Sequence, residues 1–297
     1  MQLYTPVAVT PSPVRISHQT PLMLLGSCFS DNIGLKLQQS GFDVLSNPFG
    51  TLYNPLSIAL VLSRALDDNE IDPSYLVHHD GVWHSWLHHS RFSNPDPDIC
   101  LQLCNQAIHA AHNQLIRKPV LIITFGTAYT FFLTEGPLAG QPVANCHKLP
   151  PQNFRRTLLS LKQILDTWHP LLQRLTNLGI QTIFTVSPIR HIADGLHQNQ
   201  ISKSTLHLAI QSLLNPDPND SPSNNNAHYY PSYEILLDQL RDYRFYARDM
   251  CHPSDLAVDI IWQHFQETHM TPATIQQNIL NTKKAKQSLH TPIISNP

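Results

Sequence analysis

The sequence predicts a three-layer α/β/α sandwich built on a mainly parallel five-stranded sheet, with β-hairpins inserted into it. Two short apolar runs, Leu22-Met23-Leu24-Leu25 and Val120-Leu121-Ile122-Ile123-Thr124-Phe125, lack the alternation of a half-wetted strand and read as strands buried on both faces. Segments with apolar residues at helical spacing separate such runs, which implies βαβ units and a sheet covered on both sides. At 297 residues, 41% of them hydrophobic, the chain can enclose one large core.

The elements follow in order. Residues 22–25 form a buried strand, and residues 31–40 the helix behind it, stopped by Gly41. Val44-Leu45 is a second strand. After Asn54-Pro55, residues 56–66 are helical and end in the charged turn Asp67-Asp68-Asn69-Glu70. Residues 76–92 break the pattern as a β-hairpin turning at Asp80-Gly81, an inserted flap. Residues 95–117 form a helix, and 120–125 a strand broken at Gly126. Residues 129–143 hold the turn signals Glu135-Gly136-Pro137 and Ala139-Gly140 and predict a second hairpin beside the first.

Helical periodicity returns over residues 152–178, interrupted at Trp168-His169-Pro170 and closed by Gly179. Residues 180–186 are the next strand, with Ser187-Pro188 at its carboxyl end. Residues 201–214 are helical, residues 215–227 a solvated loop, and His228-Tyr229-Tyr230 a last short strand. Residues 256–268 form a helix, and the tail after Thr282 is expected to fray. The domain reading is an N-terminal extension over 1–20, a single domain over 21–270 with insertions at about 71–93 and 129–150, and a C-terminal helix and tail over 271–297.

A formal net charge of −2 argues against nucleic acid as a partner. The opening Met1-Gln2-Leu3-Tyr4-Thr5-Pro6 is not a basic segment leading into an apolar one, and no stretch reaches 18 apolar residues. The expectation is a cytoplasmic protein with no membrane partner. Five cysteines in a chain of this size read as free thiols, with Cys100 and Cys104 as buried filler one helical turn apart. The 18 histidines are spread along the chain and read as compositional bias.

Ligands of doubly wound sheets bind at the carboxyl ends of the strands. Two words fall there. Gly26-Ser27-Cys28-Phe29-Ser30-Asp31 places small nucleophilic residues straight after the first strand, and Asp249-Met250-Cys251-His252-Pro253-Ser254 places an Asp three residues before a His ahead of a late helix. His252 suits a general base, and Asp249 can accept its Nδ1–H and leave Nε2 facing a nucleophile. The non-catalytic reading is that both residues cap the helix that follows. Cys28 at a helix N-terminus would have its thiolate stabilised by the helix dipole, whereas a one-residue change in the turn would present Ser27. In a further reading both residues only pack a tight turn behind Gly26.

Gly-Ser-Cys-Phe-Ser, together with Asn47-Pro48-Phe49-Gly50-Thr51-Leu52-Tyr53-Asn54-Pro55 and Ser187-Pro188-Ile189-Arg190-His191, resembles the GSCFA family, a divergent branch of the SGNH/GDSL esterases, over residues from about 22 to about 265. The resemblance implies a nucleophile at the end of the first strand and a late Asp-x-x-His pair. It departs from the superfamily in having Cys28 at the third position of the Gly-Asp-Ser word and Ser27 where Asp is expected. It also implies oxyanion donors from the nucleophile's own N–H and from a Gly after the second strand, for which Gly50 fits. The superfamily's Gly-x-Asn-Asp word is replaced by Gly126-Thr127-Ala128-Tyr129, with no side-chain amide. Asn145 could substitute by folding back from the second hairpin, with His147 as a further donor; a plain surface loop explains both equally.

Arg190 and His191 sit on the same rim, Arg190 either binding a substrate carboxylate or phosphate or pairing with Asp194. Flap residues His84, Ser85, Trp86, His88 and His89 offer aromatic surface suited to sugar rings or to hairpin packing. The expected activity is a hydrolase, esterase or acyltransferase, acting on a small ester such as an acylated glycan without a cofactor. The alternative is a non-catalytic saccharide- or ester-binding protein on the same scaffold. A third reading places Cys28, Cys146, His147, Cys251 and His252 around Zn²⁺, although no Cys-x-x-Cys or His-Glu-x-x-His spacing supports it.

Overall fold

The computed structural model describes residues 4–8, 10–215 and 226–289. Strand β1 (Leu22–Gly26) runs into α1 (Cys28–Gln39), and β2 (Val44–Ser46) returns beside it. Helix α2 (Pro55–Asp67), the hairpin of β3 (Leu76–His79) and β4 (Val82–Ser85), and α3 (Pro97–Ile116) lead to β5 (Val120–Phe125). Strands β6 (Tyr129–Leu133), β7 (Pro142–Val143) and β8 (Phe154–Leu158) precede α4 (Leu161–Asn177) and β9 (Thr182–Val186). The chain continues with α5 (Leu196–Leu214), β10 (Ala227–Tyr229) and the single turn α6 (Ser232–Glu234), prolonged as a π-helical turn over Ile235–Leu240. It then forms α7 (Asp255–His269) and α8 (Pro272–Leu289).

The central sheet is parallel throughout, in the order β10-β9-β5-β1-β2. The predicted three-layer architecture with inserted hairpins is therefore the observed one. Alternate strand residues feed two cores. Leu22, Leu24, Val120, Ile122 and Ile183 pack with α1 and α7, while Met23, Leu25, Leu121, Ile123, Phe125 and Phe184 pack with α2 to α5. Phe125, Trp168 and Phe184 cluster in the second core with centroids 5.1–5.7 Å apart, Trp168 edge-to-face with both phenylalanines. Cys100 and Cys104 are buried in it as expected. Counted among themselves in chain order, the parallel strands lie 2-1-3-4-5, so the crevice between β1 and β5, where the chain order reverses, is where a ligand is expected.

Four local expectations are corrected. Residues 154–158 are strand β8, not the start of a helix; β8 pairs antiparallel with β6, Phe131 opposite Arg156. Its two apolar residues, Phe154 and Leu158, are four apart and mimic a helical period, while the intervening arginines lie over Phe132 and Tyr129 on the neighbouring strand. Helix α4 runs unbroken through Pro170, because that residue is on the exposed side, where the carbonyl it frees can meet water. Helices α1 and α5 begin earlier than periodicity suggests, at Cys28 and Leu196, because polar residues interrupt the apolar spacing of their first turns, Ser30 and Asp31 in one and residues 197–200 in the other. The tail is helical to Leu289. The rest of the tail, and residues 216–225 of the loop predicted at 215–227, lie outside the described residues.

The two hairpins meet as predicted. The Ala144 N–H donates to Trp86 O at 2.7 Å, and His84 stacks on His147 with ring centroids 4.5 Å apart. No described helix is long and apolar enough to cross a membrane.

Gly26 is where sheet and site meet. Its φ is +144°, and a Cβ there would lie 2.2 Å from Thr124 O on β5. Neither backbone can give way without opening the β1–β5 pairing. Gly26→Ala is expected to cost on the order of 3 kcal/mol or more in a urea unfolding curve; an unchanged midpoint would contradict this close approach.

Candidate active site

The turn after β1 is held by Asn47, whose amide is fully buried. Its Oδ1 accepts the Gly26 N–H at 2.9 Å, and its Nδ2 donates to Asp31 Oδ1 at 2.8 Å. Ser27 then caps α1, its Oγ accepting the Phe29 N–H at 3.3 Å and donating to Ser187 Oγ at 3.0 Å. Ser27 is only 1% exposed and turns toward β9, away from the cleft. Cys28, one residue on, takes the first helical position and faces outward. Its Sγ lies 3.4 Å from His252 Nε2.

The late loop is preorganised from within. Asp249 Oδ1 accepts the N–H groups of Cys251 and His252 at 2.9 and 3.0 Å, and Oδ2 contacts His252 Nδ1 at 2.5 Å. Neither residue caps α7; Ser254 does. Arg190 ties this loop to the end of β9: its N–H donates to Cys251 O at 3.0 Å and its Nη1 to Met250 O at 3.1 Å, while the guanidinium lies over Tyr246. The foreseen Arg190–Asp194 pair is absent, because Asp194 binds Arg156 at 2.5 Å. A thiol, an imidazole and a carboxylate thus stand in a row at the carboxyl edge of the sheet, in the arrangement that lets a base take a nucleophile's proton.

They open onto a cleft of about 640 Å³. Tyr53 and Asn54 from the loop after β2, Asn145 and Cys146 from the second hairpin, and Arg190, His191 and Asp194 from the loop after β9 form its walls. His89 is the flap residue that reaches it. His84, Ser85, Trp86 and His88 are buried in the joint between hairpins, so they offer no sugar-binding surface. His147 lies in the same joint, in contact with Ser85 O through Nε2 at 2.7 Å, and is not a donor to the cleft. The imagined zinc set therefore does not converge, and no group of three or more His, Cys, Asp or Glu among the described residues is placed to hold a metal.

The oxyanion donors also differ from expectation. The N–H of Gly50 is spent on Asn47 O and that of Gly126 on Tyr53 O, both at 2.8 Å. Gly50 serves instead to admit His89, since a Cβ there would meet the His89 Cβ at 2.1 Å. Groups that do face the sulfur are the Cys28 N–H, at the start of α1, and the Tyr53 hydroxyl. Asn145 lines the cleft, and its Oδ1 accepts the His147 N–H at 2.9 Å.

Burial raises the Cys28 thiol above its ordinary value despite the N–H groups of Cys28 and Phe29, and Asp31 and Asp249 push the same way. The helix dipole alone therefore does not ionise it; the proton must go to a base. Asp249, held by the Cys251 and His252 N–H groups and by the imidazole, is lowered to about 2 and stays a carboxylate at neutral pH. His191 is lowered to about 4 by burial and by the charge of Lys203, so it is a neutral wall of the cleft.

Sequence reading missed Asn47, Tyr53 and Lys203. The first two stood inside a quoted word without a role. Lys203 had a legible signal: the buried face of α5 is Asn199, Ser202, Lys203, Leu206, Ala209, Ile210 and Leu213, an apolar stripe whose first turns are polar. Those polar residues serve the strand ends. Asn199 Oδ1 accepts the His191 N–H at 2.9 Å, and Ser202 Oγ accepts the Ala128 N–H at 2.8 Å.

Fold and cleft together define a doubly wound α/β/α protein with a Cys–His–Asp row at the carboxyl edge of its sheet. The chain belongs to the GSCFA family, whose model matches residues 21–265, a span that contains every residue of that row. No curated protein and no solved structure matches the chain.

Proposed function

We propose that this protein is an SGNH-type hydrolase, an esterase or acyltransferase, that cleaves a small ester through Cys28, His252 and Asp249, with acylated glycans as the first substrate class to test. The observation that carries the reading is the contact of Cys28 Sγ with His252 Nε2 at 3.4 Å while Asp249 holds Nδ1 at 2.5 Å, all three lining an open cleft. In the first step His252 Nε2 takes the thiol proton as Sγ adds to the ester carbonyl. The developing oxyanion is met by the Cys28 N–H, with the Tyr53 hydroxyl and Asn145 amide in reach of the same space. Collapse expels the alcohol, which leaves with the proton from His252, and a thioester remains on Cys28. Water, or a second alcohol in a transferase, gives its proton to His252, attacks the thioester and restores the thiol.

His252→Ala and Asp249→Asn are expected to keep the fold and to lower hydrolysis of a short-chain aryl ester by at least about 10³-fold and about 10²-fold, respectively. Wild-type rates in both variants would refute the assignment. A second reading, a binding protein without turnover, is favoured by the committed N–H groups of Gly50 and Gly126; it predicts binding of ester or saccharide with no turnover even in the unaltered protein.

A further inference from the structure

A second cavity, of about 260 Å³, adjoins the cleft and shares only Arg190 with it. Arg241 at the end of the π-helical turn, Tyr233 of α6, Gln200 of α5, and Tyr243 and Tyr246 from the segment that leads to the Asp249 loop also line it. No Asp or Glu does. We propose that this cavity binds a small phosphate-bearing ligand, a phosphate monoester of a ring compound, and that this ligand is distinct from the ester that enters the cleft.

The two guanidinium groups call for an anion. Arg190 spends Nη1 on Met250 O at 3.1 Å, and its other side-chain N–H groups have no partner among the described residues. The Arg241 side chain makes no hydrogen bond or ion pair to any described residue. Two cations that face one cavity without a counter-ion repel each other, and an anion between them removes that cost. The carboxylates of the segment do not supply it: Asp242 pairs with Arg244 at 3.0 Å, Glu234 accepts the Tyr229 hydroxyl at 2.7 Å, and Asp238 is exposed and lies outside the cavity. Behind Tyr233, Lys203 Nζ lies 5.9 Å from the ring centroid and donates to Gly126 O and Ser187 O at 2.6 and 2.7 Å, so the next cation inward is held by carbonyls and not by a carboxylate. A phosphate monoester carries a charge of about −1.5 to −2 at pH 7 and three acceptor oxygens, which matches two arginines where a carboxylate matches one.

The backbone at Arg241 supports the assignment. Its φ of +57° is left-handed, and it closes a π-helical turn at a position where Gly or Asn costs least. A long cation kept there is explained by what its guanidinium reaches. The tyrosines supply the ring-binding part. The Arg190 guanidinium lies 5.2 and 5.8 Å from the ring centroids of Tyr246 and Tyr243, whose hydroxyls have no partner among the described residues. Burial raises Tyr233 and Tyr246 above the ordinary phenol value, so both are neutral at pH 7. Their rings beside the arginines offer faces to the ring of a ligand. The volume lies below the about 300–1,000 Å³ of sites for larger ligands and suits one ring with its phosphate.

The test is calorimetric titration of the full chain with phenyl phosphate and with inorganic phosphate, which reads binding alone and stands whether or not the protein hydrolyses esters. Phenyl phosphate is expected to saturate one site and to bind more tightly than inorganic phosphate. Arg241→Gly suits the left-handed backbone, so its urea midpoint is kept or raised, while its affinity for phenyl phosphate falls at least about tenfold. Arg241→Gln is expected to lose affinity in the same way. Arg156→Gln, which removes the arginine that the catalytic cleft has besides Arg190, keeps the affinity of the unaltered chain. The absence of saturable binding in the millimolar range, or unchanged affinity in both Arg241 variants, would overturn the site. Affinity lost in Arg156→Gln and kept in Arg241→Gly would put the ligand in the catalytic cleft and overturn it as well. Equal affinities for the two probes would overturn the ring-bearing ligand.

Discussion

Cys28→Ala should abolish ester turnover, by at least about 10³-fold, while Ser27→Ala keeps it to within about tenfold. The asymmetry follows from one turn of chain. Cys28 Sγ reaches His252, whereas Ser27 Oγ is committed to the Phe29 N–H and Ser187 and is shielded from the cleft. Ser27→Ala should instead cost about 1–2 kcal/mol of stability through loss of the N-cap and of the buried hydroxyl pair. Rates of purified variants on a short-chain aryl ester, read beside their urea midpoints, separate the two effects. Loss of activity in Ser27→Ala with Cys28→Ala active would reverse the assignment of the nucleophile.

The second large effect is on stability in acid. His88 is lowered to about 3, and His147 and His269 to about 4, in each case chiefly because burial disfavours the imidazolium. In the unfolded chain they take up protons near 6.5. A depressed folded value means the unfolded state binds the extra proton, so the stabilisation is complete above pH 6.5 and is lost as pH falls from 6.5 toward 4. Each contributes on the order of 3 kcal/mol when fully expressed. His109 works in the opposite direction, raised by Glu70 and Asp68, but it is exposed and its contribution is small. Urea midpoints should therefore fall steeply between pH 6.5 and 4.5, with the hairpin joint around His88 and His147 exchanging its amide protons first. A flat profile over that range would contradict the burial of neutral histidines.

Much of the sheet was legible because its strands are uninterrupted apolar runs bounded by Gly or Pro, and the strand at 120–125 was bounded to the residue. Strand β8 was not, because its solvent-side arginines hide the alternation and its partner is across the hairpin rather than along the chain. In the site, Asp249 and His252 were legible as an Asp-x-x-His pair on a late loop and Ser27 or Cys28 as alternatives after the first strand; which of the two faces His252 depends on the turn that Asn47 holds. Gly50, Gly126 and His147 carried the right identities but not the expected role: whether a backbone N–H is free depends on tertiary partners such as Asn47 O and Tyr53 O. Arg190 was foreseen at the rim, yet its partner, the Met250 carbonyl, lies 60 residues away and has no side-chain signature. Lys203 was missed because a lysine in a helical segment reads as solvated, and only its place on the apolar stripe of α5 marks it as internal.

The most direct test of the central claim is peptide-mapped intact mass after exposure to an activated acyl ester, with His252→Ala in parallel. An acyl adduct on Cys28 that forms in the unaltered protein and is absent or strongly slowed in His252→Ala is the predicted result. An adduct on Ser27, one that ignores His252, or none at all would contradict covalent acyl transfer through Cys28.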